Sequence, residues 1–399
     1  MIDERTPVVM ILGASFLQVP MIETANRAGM RSVVVDQDPS APGAAFAGEF
    51  HQVSTIDAEA VLELARRIRP DGITTAATDA PIRVVAAVAE ALGLPAVSPT
   101  TALACTDKAV MIRRLAESGV PHPMWEVVGE PDEARRAAES IGLPCILKPV
   151  DSSGSRGVVL LESFDRVDAA FAYSLASSRT GQVLVEEFLQ GPEVSVEVFH
   201  DGQRAHVLAV TDKATTGAPH FVETGHNEPS SLPSETVTAI GGAALAAVEA
   251  VGIDSGPAHV EIIVTARGPV VVELGARMGG DCITSDLVPL STGIDMTALV
   301  LDQAVGRAVT VPAPTTAASA IRFLEQPEGA LEAVRGLERA LAVPGVVDVA
   351  LLKELGHHSS GTHASGDRLG YVIAQGADVL SAVTACEAAV ALIEVEVNR

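Results

Sequence analysis

The sequence is short of the residues on which several kinds of function depend. Aromatic residues make up 3% of its 399 positions, with one Trp and two Tyr, too few for the stacking surfaces that single-stranded nucleic acid needs. Basic residues are outnumbered, 27 Lys and Arg against 51 Asp and Glu, for a formal net charge of −24. No basic stripe exists to neutralise phosphates, so a nucleic-acid partner is excluded. The four cysteines, Cys105, Cys145, Cys282 and Cys386, are scattered and form no Cys-x-x-Cys pair, which predicts reduced thiols and no zinc site. The acidic start, Met1 to Arg5, runs straight into the apolar stretch Val8–Leu12, unlike a signal peptide. No uncharged apolar run approaches the roughly 18–20 residues of a membrane span. A cytoplasmic protein without a membrane partner is the expectation.

What is present is ordinary globular material, 48% hydrophobic and 20% charged. A chain of 399 residues exceeds the ~250–300 that one core supports, so two or three domains are expected. The first hundred residues alternate strand-like runs with helical patterns, the signature of a parallel α/β sheet. Strands are predicted at Val8–Leu12, Ser32–Val35 and Ile73–Ala76, with Asp57 capping an intervening helix. The layout is Rossmann-like, but Gly13-Ala14-Ser15-Phe16-Leu17-Gln18 is not the Gly-x-Gly-x-x-Gly fingerprint of a dinucleotide site. Joins are expected near residue 97, in Leu94–Pro99, and near residue 311, in Val311–Thr316, dividing the chain into 1–97, 98–310 and 311–399. The last part carries strand-like runs at Ala320–Leu324 and Leu369–Ala374 and an amphipathic helix from Asp378 to Ile393.

Three segments carry chemistry. In Ile146-Leu147-Lys148, a β-run delivers a lysine to the Gly/Ser loop Ser152-Ser153-Gly154-Ser155-Arg156-Gly157. Small residues let backbone N–H groups approach an anion, and the basic side chains add charge. It is not a Walker loop, and a plain hairpin tip is the competing reading. The second segment, His259–Val264 and Val270–Leu274 around Ala266-Arg267-Gly268, reads as a hairpin. A three-residue loop pairs position 265 with 269 and Glu261 with Glu273, on one face. Two carboxylates that close need a cation between them, which suits hard divalent ions. A two-residue loop would send them to opposite faces. The third, Val183–Leu189 followed by Gly191-Pro192, leads to a strand with Glu193, Ser195 and Glu197 on one face and valines on the other; a solvated amphipathic strand would look the same.

In this order the motifs resemble the ATP-grasp superfamily. Those motifs are the lysine and Gly/Ser loop, Glu186-Glu187-Phe188-Leu189, Gly191-Pro192-Glu193, and two glutamates twelve positions apart ending in Glu273-Leu274-Gly275-Ala276-Arg277. Ser365–Ala374 resembles the C-terminal domain of the branch that contains amino-acid ligases. The fold implied is α/β, with a Rossmann-like N-terminal domain, a two-lobed ATP-grasp domain whose lid spans about 115–187, and a smaller α+β C-terminal domain. By resemblance Lys108 and Lys148 contact ATP phosphates, and Ser152, Ser153, Gly154, Ser155 and Gly157 close over them. Glu186, Glu187, Phe188 and Leu189 hold adenine, and Glu193 holds ribose. Glu261 and Glu273 hold Mg²⁺, with Mn²⁺ as an alternative. Arg277, with Lys148, is catalytic, stabilising charge on a phosphorylated carboxylate. Glu223 or His226 holds a substrate amino group. Many members carry Asn where this chain has Gly275.

The implied activity is an ATP-dependent carboxylate–amine ligase, forming a dipeptide or related amide from small-molecule substrates through an acyl phosphate; the resemblance also allows a homodimer. The runner-up is a carboxylase or formyltransferase acting on bicarbonate or a purine intermediate. A nucleotide-binding regulator without turnover is the rival of another class, prompted by Gly275.

Overall fold

The computed structural model describes residues 6–154, 156–218 and 221–398. Ser155, expected in the phosphate loop, lies outside the described residues. Four sheets organise the chain. The N-terminal sheet is parallel, ordered β3-β2-β1-β4, from β1 (Val8–Leu12), β2 (Arg31–Asp36), β3 (Glu49–Gln52) and β4 (Gly72–Thr74). Every residue of β1 is buried, as befits a strand covered by helices on both faces. The Asp57 side chain caps helix Ala58–Ile68 by accepting the Ala60 N–H. The β1 turn is filled by its own side chains: Gln18 donates to the Ala76 carbonyl, and Asp36 accepts the Ala14 N–H at 2.8 Å.

The lid sheet is antiparallel, ordered β5-β8-β6-β7, from β5 (Trp125–Val128), β6 (Cys145–Pro149), β7 (Val159–Leu161) and β8 (Val183–Glu187). Helices Pro131–Ile141 and Val167–Ala176 cover one face, burying Ala134, Ala137, Ala138, Val167 and Phe171 against Leu147, Val183 and Val185.

The central sheet has eight strands: β9 (Glu193–His200), β10 (Ala205–Thr215), β11 (Glu223–Glu228), β12 (Gly256–Thr265), β13 (Gly268–Gly275), β14 (Ala318–Leu324), β16 (Val346–Leu351) and β18 (Gly370–Gly376). Its order is β13-β12-β9-β10-β11-β14-β18-β16. Strands that follow residue 311 therefore extend the same sheet through the β11–β14 ladder. A small sheet of β17 (His358–Ser359), β15 (Gly329–Arg335) and β19 (Glu394–Asn398) finishes the fold.

Helix Ser234–Val251 has the length and mean hydropathy (1.2) of a membrane-crossing segment. It carries Glu235 and Glu249, however, and packs Ile240, Ala244, Ala247, Val248 and Val251 with the valines of β9 and β12. The competing reading of β9 as a solvated amphipathic strand does not hold: Ser195 and Glu197 are buried along with the valines.

Candidate active site

The hairpin of β12 and β13 brings Glu261 opposite Glu273, but not by a three-residue loop. Thr265 pairs with Gly268, leaving a two-residue turn of Ala266 and Arg267. That turn alone would face Glu261 with Val272. A bulge absorbs Val272, so Ile262 pairs with Val271 and Glu261 with Glu273. One extra residue in one strand thus restores the shared face.

Each glutamate meets a lysine. Lys108, first residue of helix Lys108–Glu117, sits 2.8 Å from Glu273 and donates to the Ser152 carbonyl at 2.6 Å. Lys213, on β10, sits 3.3 Å from Glu261, 2.8 Å from Glu193 and 3.5 Å from Glu223. Lys148, on β6, sits 2.7 Å from Glu186. Burial by itself would lower the pKa of Lys108, but Glu273 more than offsets it and the net shift is upward. The same holds more strongly for Lys213 among its three carboxylates. Burial would raise Glu261, yet Lys213 and His259 hold it well below the usual range. Glu186 is raised by burial against the pull of Lys148, and its Oε1 is buried without a hydrogen-bond partner.

These groups line a cavity of about 560 Å³ between lid and central sheet. Lys108, Lys148, Ser152, Ser153, Gly154, Glu186, Glu187, Phe188, Leu189, Glu193, Glu223, Glu261, Glu273 and Arg277 all border it. Its apolar end is walled by Phe188 and Phe221, whose ring centroids are 6.4 Å apart, with Ile146, Leu189 and Ile263. Gly154 has φ +65° and open space around it. Gly157 does not border the cavity; a Cβ there would lie 2.7 Å from Pro149 and 2.8 Å from Ser177, so it fixes the base of the loop. Glu187 turns its carboxylate to Arg267 at 2.6 Å, tying the lid to the hairpin turn. His226 also lies outside the cavity lining, buried behind Asp281 at 3.6 Å and edge-on to Phe323.

Several contributors carry no motif. Lys213 has one signal, rarity: the chain has four lysines against 23 arginines, and three of the four border this cavity. Asp79, in the loop after β4, accepts from Arg277 Nε at 2.7 Å. Burial would raise its pKa, but Arg277 holds it down. A Cβ on Gly275 would stand 3.1 Å from Asp79 and 3.2 Å from Arg277, so this pair occupies the space an asparagine would need. Behind Glu261, His259 donates to Glu197 at 2.5 Å, and Glu197 accepts the Gly279 N–H at 3.2 Å. Burial would lower His259, but Glu197 raises it to about 9. From the far end of the chain, Ser365 donates to Glu223 at 2.6 Å, and Arg368 grips Asp281 at 2.9 and 2.5 Å while stacking on Phe323 at 3.7 Å.

The donor set fits Mg²⁺. Two facing carboxylates are hard oxygen ligands, each now balanced by a lysine cation. Among the described residues no cluster of three or more His, Cys, Asp or Glu forms a self-sufficient metal cage, and Mg²⁺ ordinarily takes one or two carboxylates plus phosphate oxygens and water.

Residues 141–285 match the ATP-grasp domain family, and residues 322–398 match the L-amino acid ligase C-terminal domain 2. The chain carries an ATP-grasp domain. An uncharacterized protein of Sinorhizobium fredii is 28% identical over 384 residues, covering 94% of this chain and 79% of that one. The formate-dependent phosphoribosylglycinamide formyltransferase of Rhodococcus jostii is 36% identical over 190 residues, 45% of this chain and under half (46%) of its own length. The crystal structure of L-amino acid ligase from Bacillus licheniformis superposes with a TM-score of 0.85 over 100% of both chains, at 23% identity.

Proposed function

We propose that this ATP-grasp ligase joins the carboxylate of one amino acid, or of a related small acid, to the amine of another. The observation that carries this reading is the docking of the C-terminal segment. The stretch that matches the L-amino acid ligase domain sends Ser365 onto Glu223, which borders the cavity, and Arg368 onto Asp281 behind it.

The apolar slot beside Phe188 and Phe221 suits a purine, and the orphaned Glu186 Oε1 is an acceptor for its exocyclic amine. Glu193 is placed for ribose hydroxyls, with Lys108, Lys148 and the Ser152–Gly154 backbone near the phosphates. Glu261 and Glu273 would hold Mg²⁺, which when bound neutralises phosphate charge. Attack of the carboxylate on the γ-phosphorus gives an acyl phosphate and ADP. Arg277 stabilises the charge on that oxygen-rich group. A neutral amine then attacks the acyl carbon, phosphate leaves, and the amine's extra proton goes to solvent. Glu223, oriented by Ser365, is placed to hold a substrate ammonium, and His226 supports that loop from behind.

Phosphate release from ATP over a matrix of amino-acid pairs, with mass spectrometry of the products, tests the reading. Amide products from particular pairs are expected. A second reading, activation of formate or bicarbonate, is favoured by the 36% identity of the central region to the formyltransferase; turnover with a one-carbon acid and none with amino acids would establish it instead.

A further inference from the structure

Lys108 and Glu273 stand between two cavities. Beyond them, away from the nucleotide slot, lies a second hollow of about 660 Å³, between the N-terminal sheet's helix Ile82–Leu92 and the lid. The two share Lys108, Ser152, Ser153, Arg156 and Glu273, so a molecule in the second cavity reaches the place where the γ-phosphate must lie. Its inner end carries the carboxylates Asp79 and Glu273, and its outer rim carries Arg83, Arg156 and Arg179.

The arginines differ in how they are held. Arg179 is engaged by Asp151, through that residue's carbonyl at 2.9 Å and its carboxylate at 3.9 Å. Arg83 rests on Thr106, with Nε donating to Oγ1 at 2.6 Å and Nη2 to the carbonyl at 3.2 Å. Arg156 donates Nε to the Ser153 carbonyl at 3.0 Å. These neutral contacts fix each fork to the cavity wall yet leave most of its N–H groups uncommitted. The Thr106 contact also ties Arg83 to the turn that delivers Lys108.

We propose that this second cavity seats the amine-bearing substrate, an α-amino acid with a free carboxylate, and that Arg83 and Arg156 receive that carboxylate. The assignment rests on the ligase reading and adds the acceptor's seat and the residues that receive its carboxylate. Planar guanidinium forks match a carboxylate bidentately. With the acid group at the rim, the amine end lies inward, beside the Asp79–Arg277 and Lys108–Glu273 pairs, and from there the amine faces the acyl carbon. The cavity's polarity, carboxylates within and arginines at the rim, is that of a zwitterion laid head-inward.

The test reads binding to the full chain loaded with Mg²⁺ and a non-hydrolysable ATP analogue. Thermal shifts are titrated with each L-amino acid, its carboxamide, and ribose 5-phosphate. At least one free acid should shift Tm while its carboxamide does not. Arg83→Gln should raise that acid's half-saturating concentration about tenfold or more, the double variant with Arg156→Gln should abolish the shift, and Arg83→Lys should recover part of it, which a merely structural role for Arg83 would not produce. A carboxamide that binds as well as its acid, an R83Q protein indistinguishable from wild type, or no free acid that shifts Tm overturns the proposal. Ribose 5-phosphate binding tighter than every amino acid, and lost in R83Q, overturns it in favour of a phosphorylated acceptor. All these outcomes leave the ligase reading to the phosphate-release matrix. Conversely, carboxylate-dependent binding together with turnover confined to formate or bicarbonate would keep the cavity assignment and sink the ligase reading.

Discussion

The two cavities that meet at Lys108 and Glu273 are built on opposite plans. In the cavity proposed for the nucleotide the lysines are buried and already paired: the side chains are 10%, 6% and 9% exposed for Lys108, Lys148 and Lys213, and each faces a carboxylate. In the other the cations are exposed arginines leaning on backbone carbonyls. The first plan suits a ligand that never changes. On the proposed reading Mg²⁺ and ATP would exchange these partners, lysines to phosphates and glutamates to metal, so the cleft holds no isolated buried charge, which would be costly. The second plan suits ligands that vary, because an anchored but uncommitted fork takes a carboxylate without first breaking an ion pair.

The contrast can be broken in descending order of effect. Glu273→Gln removes a proposed metal ligand and the partner of Lys108 at once; kcat for ATP-dependent phosphate release should fall by about 10³ or more, with far-UV circular dichroism unchanged. Activity within about tenfold of wild type would mean the paired plan is not what positions the metal. Lys213→Met leaves Glu193, Glu223 and Glu261 facing one another without their cation. Tm should drop and the KM for ATP should rise roughly tenfold, and millimolar Mg²⁺ should restore Tm more in this variant than in wild type. A Tm insensitive to Mg²⁺ would show that Lys213 is not holding a metal's place.

The smallest effect concerns a carboxyl whose partners are neutral. Glu228 is fully buried and bonded to the hydroxyls of Thr211 and Ser291, and burial pushes its pKa up from the ordinary 4.5 to about 7. Between those values the folded chain holds a proton that the unfolded chain has released, so stability falls as pH rises through the window. Glu228→Gln should flatten that dependence, by on the order of 2 kcal/mol between pH 5 and 8, read as ΔG of urea unfolding. Parallel pH profiles for variant and wild type would contradict it.

Much of the lining of the cavity between lid and central sheet was legible because its parts are local: a lysine and its loop, the Glu186–Leu189 stretch, two glutamates on one hairpin. Their pairing was expected from a three-residue loop, whereas the chain uses a two-residue turn and a bulge at Val272. Turn length and bulge act on register in the same way, so the strand pattern does not separate them. The Asp79–Arg277 pair spans 198 positions, and only the docking of the N-terminal sheet on the central one brings it together. Glu193, Ser195 and Glu197 alternate with valines as in a solvated amphipathic strand; Ser195 and Glu197 are instead buried, and the neighbouring strands β12 and β10 supply His259 to Glu197 and Lys213 to Glu193. The join expected near residue 311 lies before β14, which continues the central sheet, a pairing no local composition records.

The scarcity of lysine has a consequence for chemical safety. An acyl phosphate reacts with any free amine, and a cleft lined by lysines would be expected to acylate itself. Lys108 and Lys213 are held by their carboxylates as ammonium ions, with no lone pair to offer. The rim where the acceptor would wait carries arginines, whose guanidinium groups stay protonated and are not nucleophiles. Lys148, the third lysine beside the cavity, faces Glu186 at 2.7 Å, so on the proposed reading the three nearby lysines leave the acyl group to the incoming amine.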